Sequence, residues 1–213
     1  MIKYFIRTTL ERKLDESISR ELGEDYTLLV DTEHKPIESF INQLSIISDY
    51  DAVLLEDDVI LCKDFKSRIE EVISKHKDKV INFFQKPNFY FTAHLTEEPF
   101  RFNQCTYYPK GLSKIISEEM LNHMCITYGY DAIEDWALRK LGLAYFIYRP
   151  CLVQHKDIKS LIYSNNRQRI TPYFIDYLEE LNIPYEEAYK PENKQKLINL
   201  MNEKFNNKKA NED

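Results

Sequence analysis

The chain has 213 residues, with 29 lysines and arginines against 35 aspartates and glutamates, a formal net charge of −6, and 43% hydrophobic and 30% charged residues. That length suits one α/β domain with a small appendage and argues against a second full domain, and the acidic balance argues against a surface given over wholly to nucleic acid. No apolar run approaches the roughly 20 residues needed to span a bilayer.

The N-terminal MIKYFIRTT is apolar over too short a stretch for a secretion signal, and a cytoplasmic protein is expected. Residues 2–8 read as a buried strand, followed by Leu10, Leu14, Ile18 and Leu22 at helical spacing and by Gly23 as a stop. Tyr26 to Val30 reads as a second strand ending at Asp31, and Pro36 opens a helix with Ile37, Phe40, Ile41, Leu44 and Ile47 on one face. A third strand, Asp51 to Leu55, runs into Glu56-Asp57-Asp58, and Asp64 stands where it can cap a helix carrying Phe65, Ile69, Val72 and Ile73. Three β-α units in succession predict a parallel sheet with right-handed crossovers.

From Val80 the pattern changes to short aromatic strands, VINFFQ, FYFTAH and CTYYP, so the sheet is expected to become mixed. A helix is predicted from about Ser113 to Met124. Asp131 and Glu134 have capping-box spacing at the start of DAIEDWALRKLG, and a last strand, Ala144 to Tyr148, leads through Pro150 to CLVQH. The fold class is therefore α/β, a Rossmann-type mixed sheet flanked by helices, over residues 1–165. Helices starting at Pro172 and Pro191 form a C-terminal extension over 166–205, and the polar residues 206–213 are expected to be disordered.

Four widely spaced cysteines, Cys62, Cys105, Cys125 and Cys151, lack the CxxC or Cys-His spacing of a zinc site and are expected to be reduced. With only four glycines, neither a GxGxxG turn nor a GxxxxGK[ST] loop can be written. Side chains or a metal must then carry the charge of any phosphorylated ligand. The triplet Glu56-Asp57-Asp58 is placed for that task, because ligands of open α/β sheets bind at the carboxyl ends of parallel strands. Carboxylates roughly 5 Å apart repel by about 3 kcal/mol at an effective dielectric near 20, and a hard divalent cation such as Mg2+ or Mn2+ relieves that repulsion. LLEDDVIL also resembles the acidic pair of a response-regulator receiver domain, but here the pair follows the third strand and VINFFQKP offers no phosphorylatable Asp.

The order of motifs, an acidic triplet after an early strand, Glu134-Asp135 in YGYDAIEDWALRKLGL and Gln154-His155 after a late strand, resembles the GT-A class of nucleotide-sugar glycosyltransferases over about residues 1–165. The resemblance implies a metal-dependent, inverting transfer from a nucleotide-diphosphate sugar, a UDP-sugar for preference, with Mn2+ or Mg2+ as cofactor. Asp58 would be the principal metal ligand, His155 would complete the metal shell, and Glu56 and Asp57 would be their donor-site companions. Asp135 would be the catalytic base, with Glu134 and Trp136 on the acceptor side. Thr8, Arg12 and Asp31 would meet the nucleoside, and Lys159 and Ser160, with Lys156, the diphosphate. Glu56 departs from the commoner Asp, and glycines are missing just before Glu134.

The acceptor implied is either a saccharide of a surface glycan or a hydroxymethylated base in DNA, as in phage DNA modification. Arg167 and Arg169 near Tyr163 and Tyr173 form a basic and aromatic strip compatible with a polyanion. A non-catalytic sugar-nucleotide or metal-binding module is the alternative reading.

Overall fold

The computed structural model describes residues 1–84, 94–98, 102–124, 129–156 and 170–212, with side chains as far as residue 206. Nine strands are described: β1 (Ile2–Thr8), β2 (Tyr26–Val30), β3 (Asp51–Glu56), β4 (Val59–Leu61), β5 (Val80–Asn82), β6 (Leu95–Glu97), β7 (Cys105–Tyr108), β8 (Tyr145–Tyr148) and β9 (Val153–His155). Seven α-helices accompany them: α1 (Glu16–Leu22), α2 (Pro36–Ile46), α3 (Phe65–Lys75), α4 (Leu112–Leu121), α5 (Tyr130–Lys140), α6 (Ile175–Glu180) and α7 (Pro191–Glu212).

Seven strands form one mixed sheet in the order β2-β1-β3-β7-β5-β8-β6. β1 runs parallel to both β2 and β3, β7 is antiparallel to β3 and β5, β8 is parallel to β5, and β6 closes the far edge antiparallel to β8. The expected change from parallel to mixed pairing falls at β7. β4 and β9 make a separate antiparallel pair.

Helices cover both faces. β1 and β3 are buried on both sides, so they read as continuous apolar runs rather than alternating ones. Tyr4, Ile6, Val53 and Leu55 turn toward Ile18 of α1 and Phe65, Ile69 and Ile73 of α3. Phe5, Ala52 and Leu54 turn the other way, toward Phe40 and Leu44 of α2, Ile116 of α4 and Ile133 and Leu138 of α5. Burial of a side chain of the Phe40 or Leu44 kind stabilises the fold by about 1.5–3 kcal/mol. The C-terminal extension shares the first of these cores through Tyr173, Phe174, Leu178, Leu197 and Met201. The three described cysteines, Cys62, Cys105 and Cys151, are buried free thiols.

Several local expectations shift. The first helix begins at Glu16, not near Leu10: the Asp15 side chain accepts from the Ser17 amide and sets the N-terminus, and Leu10 lies exposed in the preceding loop. Asp64 occupies the cap position of α3 in a left-handed conformation, φ 56°, and makes no capping hydrogen bond. α5 is preceded by Gly129, and the capping box does not form, because Glu134 turns into the core instead. The helix expected from Pro172 begins at Ile175, and α7 runs on to Glu212 through most of the segment whose composition suggests disorder.

Candidate functional site

The register of the parallel strands decides the first feature of the site. Arg7 of β1 lies directly beside Glu56 of β3, and their side chains meet on the α2/α5 face at the carboxyl end of the sheet. Arg7 Nη1 is 2.7 Å from Glu56 Oε1, and Arg7 Nε donates to Gln43 Oε1 at 2.6 Å. The guanidinium lies over the rings of Phe40 and Tyr130, 4.6 and 4.5 Å from their centroids, and the Tyr130 hydroxyl donates to the same Glu56 oxygen at 2.9 Å. Burial raises the Glu56 carboxyl above the ordinary carboxylate range; the Arg7 charge opposes it, and Asp58 and Asp57 add to it. Glu56 is thus engaged inside the protein, in a clamp joining β1, β3, α2 and α5.

Asp57 and Asp58 form the tight turn between β3 and β4. Burial raises the Asp57 carboxyl, while the Thr8 hydroxyl, the Arg12 charge and the Thr9 amide favour its ionised form against the neighbouring Asp58. The turn feeds β4, whose antiparallel partner β9 pairs Val59 with His155. That pairing sets His155 Nε2 3.2 Å from Asp58 Oδ2, and the Lys156 amide donates to the Asp58 carbonyl at 2.7 Å. His155 is 6% exposed, and its Nδ1 has no hydrogen-bond partner among the described residues. Lys156 Nζ lies 3.0 Å from Asp15 Oδ2, at the start of α1.

No group of three or more His, Cys, Asp or Glu side chains gathers to hold a metal among the described residues. Asp58 and His155 make a two-residue set. Mg2+ is commonly held through one or two carboxylates, with water and phosphate oxygens filling the remainder, so Asp58 fits such an ion bound together with a phosphorylated ligand, whereas the His155 imidazole is a softer donor than a hard cation prefers.

α5 presents Tyr130, Ile133, Glu134, Ala137 and Leu138 to the sheet, the spacing of one helical face. Glu134 is fully buried; it accepts from Tyr108 Oη at 2.7 Å and from Asn103 Nδ2 at 2.9 Å. Burial pushes its carboxyl up to about 8, against the two hydrogen bonds and the Arg7 charge. Asp135, one residue on, is turned about 100° around the helix axis. It is partly exposed and paired with Arg139 Nε at 2.9 Å. Trp136 is half-buried against the α2/α4/α5 core, with its ring against His123.

Thr8 ends β1, and the Asp31 amide donates to its carbonyl at 2.8 Å. Asp31 Oδ1 accepts from the Glu33 and Lys35 amides at 3.1 and 3.4 Å and so shapes the turn before α2. Lys159 and Ser160, like Tyr163, Arg167 and Arg169, lie outside the described residues. Thr8, Arg12, Glu56, Asp57, Asp58 and His155 are thus brought to one end of the sheet, whereas Asp135 and Trp136 lie on the flank of α5.

Sequence reasoning missed Gln43, Tyr130, Asn103 and Gln104. The signal for the first two was Arg7, a charge inside an apolar strand that requires buried partners. Asn103 and Gln104 lie beside the β3 end: the Glu56 amide donates to the Gln104 carbonyl at 3.0 Å, and Gln104 is 4% exposed with Oε1 unpartnered among the described residues. An unpaired buried carbonyl of this kind costs about 1–3 kcal/mol.

No family model matches the chain, and no curated protein matches it. Among solved structures, the A197 protein from STIV is similar with a TM-score of 0.42 at 11% identity, over 78% of this chain and 87% of that one. A Bacillus anthracis protein described as a glucose-1-phosphate thymidylyltransferase in complex with sucrose is similar with a TM-score of 0.43 at 12% identity, over 73% of this chain and 89% of that one. Likenesses of this strength do not bear on activity.

Proposed function

We propose that the chain is a metal-dependent glycosyltransferase that moves a sugar from a nucleotide-diphosphate sugar, a UDP-sugar for preference, to a hydroxyl of a saccharide or of a hydroxymethylated base in DNA. The observation that carries this reading is the β4–β9 pairing, which sets His155 3.2 Å from Asp58 at the carboxyl end of the parallel strands, where open α/β sheets bind ligands. Asp58 and His155 would hold Mn2+ or Mg2+, and an ion there would offset the negative charge that builds on the departing nucleotide diphosphate. Thr8, Arg12, Asp31 and Asp57 receive the nucleoside, while Lys156, Lys159 and Ser160 supplement the charge and hydrogen bonding around the diphosphate. Glu56 acts from behind, keeping the strand ends in register through Arg7 and Tyr130.

Asp135 takes the proton of the acceptor hydroxyl as its oxygen bonds to the anomeric carbon and the bond from that carbon to the phosphate oxygen breaks. The bonding electrons leave with the nucleotide diphosphate, and a single displacement inverts the carbon. Glu134, buried against Tyr108 and Asn103, sets the position of α5, and Trp136 borders the acceptor side from the flank of that helix. A second reading, a sugar-nucleotide-binding module without transfer, is favoured by one observation: Arg139 already pairs with Asp135.

The test is release of UDP from a panel of UDP-sugars by purified protein with Mn2+, offering glycans and hydroxymethylated DNA as acceptors, alongside thermal shift with the same donors. The wild type releases UDP with at least one pair, and Asp58→Asn loses both turnover and most of the Mn2+-dependent donor shift. Donor binding without UDP release from any pair leaves the binding module; neither binding nor release overturns both readings.

A further inference from the structure

Across the sheet, the order β2-β1-β3-β7 sets three chemically different strand ends side by side. Thr8 and Asp31 stand at β1 and β2, the acidic turn Asp57-Asp58 follows β3, and Gln104 precedes β7. Adjacent strands lie about 4.8 Å apart, so Gln104 is roughly 10 Å from the β1 end, with the acidic turn between. A nucleotide-diphosphate sugar laid along this edge has the same sequence of parts, with nucleoside, diphosphate and sugar in order.

We propose that the Gln104 carboxamide selects the transferred sugar by hydrogen bonding to its hydroxyls. The inference rests on the glycosyltransferase reading and assigns the sugar end of its donor site. Gln104 continues the β3–β7 ladder by one rung, because the Glu56 amide donates to its carbonyl at 3.0 Å directly after the Leu55–Cys105 pair. Cys105 turns into the α1/α3 core, and Thr106, two residues beyond Gln104, donates to Asn103 Oδ1. The backbone before Gln104 is fixed from three sides: Asn103 Nδ2 donates to Glu134 Oε2 at 2.9 Å, and Asn103 Oδ1 accepts from Thr106 Oγ1 at 2.8 Å and from Tyr108 Oη at 3.3 Å.

Within this rigid frame the Gln104 side chain is 4% exposed, yet its Oε1 has no partner among the described residues. A buried carbonyl on a fixed backbone, with no partner among the described residues, is an acceptor awaiting a donor. A carboxamide combines that acceptor with N–H donors, which matches adjacent hydroxyls that each give and take a hydrogen bond. Its acceptor oxygen has nothing to offer a phosphate, which carries no proton to share at neutral pH. The inner residue of the edge therefore fits a neutral polyol, and the acidic turn beside it fits a charged diphosphate with its cation.

The experiment compares dissociation constants for UDP and for a panel of UDP-hexoses, with Mn2+, between wild type and Gln104→Met, which keeps volume and removes both hydrogen-bonding groups. The expected result is a UDP-sugar affinity about ten-fold weaker for the preferred hexose, equivalent to one hydrogen bond of roughly 1.4 kcal/mol, with a flattened ranking among epimers and a UDP affinity altered less than the UDP-sugar affinity. Gln104→Glu, which keeps an acceptor and loses the donor, gives an altered ranking and supplies the same readout if the Met variant does not fold. An unchanged ranking and an unchanged ratio of UDP-sugar to UDP affinity overturn the inference while leaving the glycosyltransferase reading intact. Failure of the wild type to bind any UDP-sugar overturns both.

Discussion

Replacing Glu134 by Gln should remove a pH dependence that the wild-type fold carries. The carboxyl is fully buried, and burial lifts it from 4.5 to about 8. Between those two values the folded protein holds a proton that the unfolded chain has released, so a rise in pH draws the equilibrium toward the unfolded state. The contribution of Glu134 is therefore fully present below the unfolded value and is lost as the pH climbs through 8. In the middle of that window the stability should fall by roughly 1.4 kcal/mol per pH unit, for a total on the order of 5 kcal/mol. Protonated Glu134 can donate to Tyr108 Oη, which can in turn donate to Asn103 Oδ1. Gln reproduces that arrangement, its amide nitrogen toward Tyr108 and its oxygen accepting from Asn103, without a charge to titrate. Urea unfolding of both proteins at pH 5.5, 6.5 and 7.5 reads the difference, from which titrations common to the two cancel. The variant should gain on the wild type steadily as the pH rises; parallel profiles would refute the argument.

Two further changes probe the strand ends. Arg7→Met leaves the partly buried Glu56 without its cation and should cost up to about 3 kcal/mol in chemical denaturation, with recovery of much of the loss in the Arg7→Met/Glu56→Gln double variant; additive losses would show that the pair does not act as a unit. Asp135→Asn should keep UDP-sugar binding in a thermal-shift titration and lower transfer by about 10²–10⁴-fold, the range for loss of a general base; wild-type turnover would remove Asp135 from that role.

Local chemistry made much of the framework legible. Residues 2–8 and 26–30 read as strands and fold as β1 and β2 with those bounds, and Pro36 opens α2 where its fixed φ suits a first turn. The shift from parallel to mixed pairing was readable from VINFFQ and CTYYP, which fold as β5 and β7; the remaining expected strand, FYFTAH, lies outside the described residues except for its last position, and β6 follows it. Local signals failed where a larger interaction competed. Asp131 and Glu134 have the spacing of a capping box, but Glu134 has Tyr108 and Asn103 as partners in the core, and the cap is not made. Leu10 fits the apolar spacing of a helix that Asp15 starts later.

The chain by itself determined which side chains carry charge, where the apolar periodicity lies and that no glycine-rich phosphate cradle can exist. The tertiary structure decided which of those charges meet. Arg7 finds Glu56 through the β1–β3 register, and Asp58 finds His155 through β4–β9, because a one-residue slip in either ladder would turn the side chains to opposite faces. Periodicity is set by neighbours along the chain, whereas register is set jointly by both cores, and no single segment contains that information.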